Sequence, residues 1–276
     1  MRVGVFPIRN TYYEPLFDDR LLKNDLFDDR PLPGIEWNAE GQLSLLDSFT
    51  YAGELVGIPL NKQRSPNSFY MNNGYFGAGD AEYWYNLIRM KKPARIFEIG
   101  SGYSTLMALK AIRKNQEESA NYHCRHVCVE PFANPWLDNL GVDIVRSKAE
   151  DLGAAFFQEL EANDILFIDS SHIIKPQGDV LFEYLQLLPS LCSGITVHIH
   201  DIFSPKDYPA EWIRGEVKFW NEQYILEAFL TNNPDWKIIG ALNWLHQNHY
   251  QTLRSACPYL SPESEPGSFY IQKRSG

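Results

Sequence analysis

The chain has 276 residues, 44% of them hydrophobic and 14% aromatic, which is ample for a large buried core. Its 25 basic and 35 acidic residues leave a net charge of −10, and its basic runs (Lys91 with Lys92, Arg113 with Lys114) are short, so nucleic acid and anionic membrane are excluded as expected partners. Four cysteines without a CxxC pair make neither a disulfide framework nor a structural zinc site, and reduced thiols in a cytoplasmic protein are expected.

The apolar run within residues 1–8 is too short for a signal peptide, and no window reaches the roughly 18 apolar residues of a membrane span. Residues 1–79 are rich in Asn, Asp, Pro, Tyr and Phe and lack sustained periodicity. They are expected to form an irregular N-terminal cap over a main domain at 80–276. The string LFDDR stands at 16–20 and again at 26–30. That repeat is too small for a solenoid and marks either two similar turns or chance. Pro31, Pro33 and Gly34 break the chain. Within 42–60, Leu43, Leu45, Leu46, Phe49 and Leu55 have helix-like spacing. Asn72, Asn73 and Gly74 signal a turn. The aromatic residues nearby, Tyr70, Tyr75, Phe76, Tyr83, Trp84 and Tyr85, are candidates for core or for closure over a substrate. An apolar cap of this kind also offers a face for pairing with a second copy.

From residue 80 the pattern is regular. Asp80 is placed to cap a helix running through Met90 and closed by Pro93. Strands are predicted at 95–99, 126–130, 142–146, 164–169 and 195–201, with two more at 236–240 and 268–272. Helices are predicted at 105–114, at 178–191 with an interruption near Pro189, and at 220–230. The run at 164–169 is nearly all apolar, as a strand buried on both faces should be. Alternating strands and helices predict an α/β fold, a doubly wound and mostly parallel sheet covered on both sides.

Ligands of such sheets bind at the carboxyl ends of the strands. Four predicted strand ends carry an acid: Glu98, Glu130, Asp169 and Asp201. The turn after the first strand, Gly100-Ser101-Gly102, lets a ligand approach the backbone. It lacks the third glycine of a dinucleotide turn, and no GxxxxGK[ST] loop occurs. A nucleoside without phosphates fits better, with Glu130 placed to hold ribose hydroxyls. His198 and His200 share one face of the fifth strand, and His200 and Asp201 should lie on opposite sides of its end. His198 reads as a hydrogen-bonded core residue. His172, three residues after Asp169, and His200 stand at strand ends. An Asp with two His can bind a divalent ion, or one His can act as a base, and the sequence leaves both open. The loop at 204–209 is placed to shape an acceptor site.

FEIGSGYST at 97–105, VCVEP at 127–131, DILFIDSSH at 164–172 and VHIHDIF at 197–203 together resemble class I S-adenosylmethionine-dependent methyltransferases. The likeness covers about residues 80–240 and is nearest to bacterial small-molecule enzymes of the catechol and macrocin O-methyltransferase types. It implies a Rossmann-like, seven-stranded sheet. It implies S-adenosylmethionine as cofactor, with Glu98, Gly100, Ser101 and Gly102 at its methionine part and Glu130 at its ribose. Ser147 and Glu150 bound the stretch beside the adenine, and Asp169 reaches the same cofactor. It implies a divalent metal such as Mg²⁺ on Asp169 and Asp201, although Ile202 stands where metal-dependent relatives carry a second Asp or an Asn. The reaction implied is methyl transfer to a hydroxyl of a small-molecule acceptor; the residues themselves offer His172, His200 and Asp169 as its catalytic set. Rival readings are a metal-dependent oxygenase built on His172, His200 and an Asp, a nicotinamide oxidoreductase, which the missing glycine disfavours, and a non-catalytic binding protein of the same fold.

Overall fold

A single seven-stranded sheet organises the chain, in the order β3-β2-β1-β4-β5-β7-β6. The structure is a computed structural model and describes residues 16–64 and 67–274; the apolar run within residues 1–8 lies outside them. The strands are β1 (Arg95–Ile99), β2 (Arg125–Val129), β3 (Asp143–Val145), β4 (Ile165–Ile168), β5 (Thr196–Ile199), β6 (Trp236–Ala241) and β7 (Phe269–Lys273). Strands β1 to β5 are parallel, and β7 inserts antiparallel between β5 and β6. All seven predicted strands exist, each within a few residues of its expected bounds. This is the expected doubly wound, mostly parallel α/β sheet of seven strands.

The period-2 alternation of the strands divides the core in two. Ile96, Ile165, Phe167 and Tyr270 face one layer of helices; Phe97, Ile99, Val127, Leu166, Ile168, Val197 and Ile199 face the other. The first layer contains α1 (Ala39–Asp47), α2 (Ala52–Leu55), α3 (Asp80–Lys91) and α4 (Tyr103–Glu118). The described part of the expected cap joins this core: Leu46, Phe49, Leu55, Ile58, Phe69, Met71 and Phe76 are buried against α3 and α4. Tyr83, Trp84 and Tyr85 are fully buried on α3, so they are core and not a lid. The two LFDDR copies differ. The second buries Leu26 and sends Arg30 to Glu227, whereas Leu16 and Phe17 of the first remain exposed.

The second layer holds the short α5 (Ala149–Leu152) and α6 (Ala154–Phe157), then α7 (Asp179–Phe182), α8 (Leu188–Ser190) and α9 (Glu222–Leu230). Between α7 and α8 the helix widens into a π turn, Glu183–Leu187. The predicted interruption therefore lies one turn earlier than Pro189. Proline lacks an N–H and its ring crowds the carbonyl four residues back, and the widened turn makes room for it. Four helices were not anticipated: the short α5 and α6, and α10 (Leu242–Asn248) and α11 (Tyr250–Ala256), which pack on the first layer. No helix among the described residues is long and apolar enough to cross a membrane.

Candidate active site

The turn after β1 is held by both neighbouring strands. The Gly100 N–H donates to the Val129 carbonyl (3.0 Å), and the Asp169 N–H donates to the Ile99 carbonyl (2.9 Å). Gly100 takes φ +83, and a Cβ there would lie 2.1 Å from the Asp169 carbonyl oxygen. Only glycine fits. Gly102 is different: its φ is −171 and a Cβ would meet no atom within 4 Å, so its open side faces free space at the start of α4. Its N–H donates to Thr105 Oγ1 (3.1 Å), and the Thr105 hydroxyl donates to Glu98 (2.7 Å). The Glu98 carboxylate also accepts from Ser104 Oγ (3.1 Å) and lies 2.6 Å from His126 Nε2.

Glu98 is thus wholly buried beneath the turn, on the α4 side of β1, with both oxygens engaged. It stiffens the turn from below and does not line the cleft, contrary to the expectation of direct cofactor contact. Burial opposes charge on His126, but the Glu98 carboxylate and Cys128 outweigh it and push the imidazole up to about 10.

Above the turn lies a cleft of about 420 Å³, in the range of small-ligand sites. Gly100, Glu130, Glu150 and Asp169 line it, with Phe132 and Lys148 among the other walls. Glu130 accepts the Phe132 N–H (2.9 Å), which fixes its carboxylate at the end of β2. Ser101 Oγ is buried without a hydrogen-bond partner among the described residues, beside this turn. Ser147 is not in the cleft wall; its hydroxyl turns to the Lys148 carbonyl (3.3 Å).

The ends of β4 and β5 bring Asp169, His172, His200 and Asp201 into one cluster. His172 Nε2 lies 3.2 Å from Asp169 Oδ1 and 3.5 Å from Asp201 Oδ2. His200 Nδ1 lies 3.4 Å from Asp201 Oδ1 and 3.7 Å from Asp169 Oδ1. His200 and Asp201 therefore converge, where simple alternation put them on opposite sides. The cause is backbone: Asp201 takes φ +59, which ends the pleat and swings its carboxylate toward the imidazole. His172 also takes φ +59. Two non-glycine residues in the left-handed region of one site are a marker of function.

Two residues of the cluster were not anticipated. Asp80 was expected to cap α3, but Gly79 holds the cap position. The Asp80 carboxylate instead accepts the Ser268 N–H (2.8 Å) and the Gly267 N–H (3.3 Å), and lies 3.8 Å from His200 Nε2. Glu222, fully buried on α9, sits 2.7 Å from His172 Nδ1 and accepts the Tyr184 hydroxyl (2.9 Å). No local pattern marks either residue; only the fold brings positions 80, 172, 200 and 222 together. His198 is core as expected, with Nε2 2.8 Å from Ser268 Oγ, and burial keeps it well below its usual pKa.

Burial disfavours charge throughout the cluster, yet the opposite charges prevail at three groups. Asp201, Asp169 and Asp80 hold His200 well above the ordinary imidazole range. Asp169 and Glu222 do the same for His172, and the two imidazoles hold Asp169 well below the carboxylate range. At Asp201 burial wins and its pKa rises.

The cluster suits a divalent cation. One ligand atom from each of Asp169, His200 and Asp201 lies within 4.8 Å of the others. His200 Nδ1 is buried and has no hydrogen-bond partner among the described residues, although two carboxylates face it. One imidazole nitrogen and two carboxylates form a donor set for Mg²⁺, Mn²⁺ or a similar ion. A second cavity, about 310 Å³, opens on the other side of the cluster and is lined by Asp80, His200 and Asp201 together with Tyr75, Phe203 and Trp212.

Residues 97–202 match the family described as a methyltransferase domain. Over this stretch the chain is similar to methyltransferase domains. The cofactor of such a domain is S-adenosylmethionine. The matched stretch contains every site residue anticipated from sequence, from Glu98 to Asp201, while Asp80 and Glu222 lie outside it. An uncharacterised protein of Archaeoglobus fulgidus is 28% identical over 143 residues, 50% of this chain and 63% of that protein. The chain thus spans less than two thirds of that curated relative. It is also similar to a Bacillus cereus O-methyltransferase solved in complex with SAH, at 13% identity and a TM-score of 0.44 over 86% of this chain and 98% of that one. The methyltransferase MycE of the mycinamycin biosynthetic pathway, solved with Mg, SAH and mycinamycin VI, gives 12% identity and a TM-score of 0.39 over 70% of this chain and 48% of its own.

Proposed function

We propose that the protein transfers a methyl group from S-adenosylmethionine to a hydroxyl of a small molecule, with a divalent ion held by Asp169, His200 and Asp201. One observation carries this reading: the Asp169–His200–Asp201 cluster is the wall shared by two cavities, Asp169 lining the first and His200 and Asp201 the second. A methyl donor in the first and an acceptor in the second would meet there. Transfer from a sulfonium needs an acceptor lone pair aligned with the S–CH₃ bond, so positioning supplies much of the rate.

The roles of the residues follow from their places. The backbone at Gly100–Gly102 gives the methionine part of the cofactor its approach, and Glu130 holds the ribose. Glu150, with Lys148, closes the adenine end. A bound divalent ion would supply Lewis acidity, lowering the pKa of the acceptor hydroxyl. His172, oriented through Nδ1 by Glu222, presents Nε2 to the cluster; a divalent ion bound to Asp169 and Asp201 would favour its neutral form, which takes the acceptor proton. A positioned base is worth about 10²–10⁴ in rate. The donor set of one imidazole and two carboxylates differs from the two-His, one-carboxylate set of non-haem iron oxygenases.

The test is thermal stabilisation by S-adenosylhomocysteine with Mg²⁺ or with EDTA, since a ligand that prefers the folded state raises its melting point. Stabilisation by the nucleoside, increased by Mg²⁺, is expected. No response to the nucleoside would refute the proposal; a response indifferent to metal would remove the ion from it.

A further inference from the structure

We infer that Asp80 is a positioning residue of the metal site: it holds the proton of the His200 ring on Nε2, so that Nδ1 presents its lone pair to the ion. This deepens the proposed function and rests on its divalent site. Asp80 is buried at the first turn of α3, outside the stretch matched by the methyltransferase family. Its Oδ1 accepts the Ser268 N–H (2.8 Å) and its Oδ2 the Gly267 N–H (3.3 Å), and Oδ2 lies 3.8 Å from His200 Nε2. The Gly267 carbonyl in turn accepts the Ile202 N–H (2.7 Å). One short stretch of backbone therefore ties the carboxylate to the end of β5, and its place relative to His200 and Asp201 is fixed.

The two nitrogens of His200 face different groups. Nδ1 looks to Asp201 (3.4 Å) and Asp169 (3.7 Å), and Nε2 to Asp80. The Phe76 ring lies beside the imidazole, with centroids 5.2 Å apart. The nearby Ser268 hydroxyl is engaged with His198 (2.8 Å). Among the described residues, Asp80 is thus the one charged partner of Nε2. An imidazole that binds an ion through Nδ1 must carry its proton on Nε2. Asp169 and Asp201 draw a proton to Nδ1, and an ion on the same two carboxylates replaces it; Asp80 keeps the other proton in place. At 3.8 Å the pair acts by charge rather than as a hydrogen bond. Glu222 stands in the same relation to His172, 2.7 Å from the ring nitrogen turned away from the cluster. A carboxylate behind a metal-ligating imidazole fixes its tautomer and orientation and strengthens it as a ligand. Its loss typically costs about 10–100-fold in metal affinity.

The experiment titrates Mn²⁺ into the full chain with S-adenosylhomocysteine present, following free Mn²⁺ by electron paramagnetic resonance. Asp80→Asn should bind Mn²⁺ at least about 10-fold more weakly than wild type. Its affinity for the nucleoside in EDTA should be unchanged. His200→Asn supplies the control, because its amide oxygen can stand where Nδ1 stood while Nε2 is gone. On that background Asp80→Asn should cost no more than about 2-fold further, since Asp80 acts through the imidazole. A second measurement needs no Asp80 variant: the ¹H–¹⁵N spectrum of the wild-type chain with Mg²⁺, in which the His200 signals are those lost in His200→Asn, should show the proton on Nε2. Wild-type Mn²⁺ affinity in Asp80→Asn, an equal loss with and without His200, or a proton on Nδ1 would overturn the inference. Absence of Mn²⁺ binding by the wild-type chain would instead refute the divalent site of the proposed function, and this inference with it, so the two failures are distinguishable.

Discussion

The two glycines of the turn after β1 should respond to alanine in opposite ways. At Gly100 the backbone is left-handed, which costs a residue with a Cβ about 1–2 kcal/mol. The new Cβ would also sit 2.1 Å from the Asp169 carbonyl oxygen, an atom fixed by the β1–β4 ladder. Relieving that overlap means displacing the turn or the end of β4, at an overpacking cost of about 1–3 kcal/mol. Gly100→Ala should therefore lose about 2–5 kcal/mol of stability, roughly 4–20 °C in Tm for a chain of this size. At Gly102 the backbone is extended and nothing lies within 4 Å of a Cβ. Gly102→Ala should cost at most about 1 kcal/mol, the value of a helix cap. With the methionine part of the cofactor over the turn, as proposed, a Cβ here would crowd it, so affinity for S-adenosylhomocysteine should fall at least about tenfold. Urea denaturation and calorimetric titration of both variants decide the matter. Wild-type stability in Gly100→Ala, or wild-type affinity in Gly102→Ala, would refute this account of the turn.

Glu130→Ala should weaken S-adenosylhomocysteine binding, about tenfold by calorimetry, with little change in urea midpoint, because the side chain is a surface group of the cleft. His200→Ala should keep the nucleoside affinity and lose the Mg²⁺-dependent rise in Tm, with turnover falling about 10²-fold or more. Glu222→Gln keeps the shape but removes the charge that holds His172 Nδ1; turnover should fall while KM for the acceptor stays near wild type, and Glu222→Asp should recover part of the rate. His126, pushed up to about 10 in the folded chain, contributes stability that is full below its unfolded value near 6.5 and is lost as pH rises toward 10. The stability difference between wild type and His126→Gln should narrow across that window, by at most about 1.4 kcal/mol per pH unit, as measured by urea midpoints from pH 6 to 10.

The sheet was legible because its signals are local. β4 is an unbroken apolar run, and β1 and β2 each lead an apolar run into an acid. The cluster was half legible: Asp169, His172, His200 and Asp201 all follow strands of one parallel sheet, so the fold rule brings their ends together. The rest depends on conformations that side-chain periodicity does not encode. Asp201 leaves the strand through a left-handed residue, which alternation cannot foresee. Glu98 was given to the cofactor because it ends a strand, although its parity with Ile96 puts it on the face covered by α4. Asp80 and Glu222 read as helix-start residues and became site residues only through contacts 120 and 50 positions away, with His200 and His172 respectively. The helices α10 and α11 were missed because Asn, His and Gln interrupt their apolar positions.

The insertion of β7 between β5 and β6 has a consequence for biosynthesis. While a ribosome is still short of residue 269, β5 and β6 have no partner between them, and each presents a bare edge able to recruit another chain. The Asp80 carboxylate, awaiting the amides of Gly267 and Ser268, is then unanchored beside His200. A nascent chain can bury its first five strands and still have an unfinished reaction chamber, so crowding by half-made copies is the hazard this topology creates during translation.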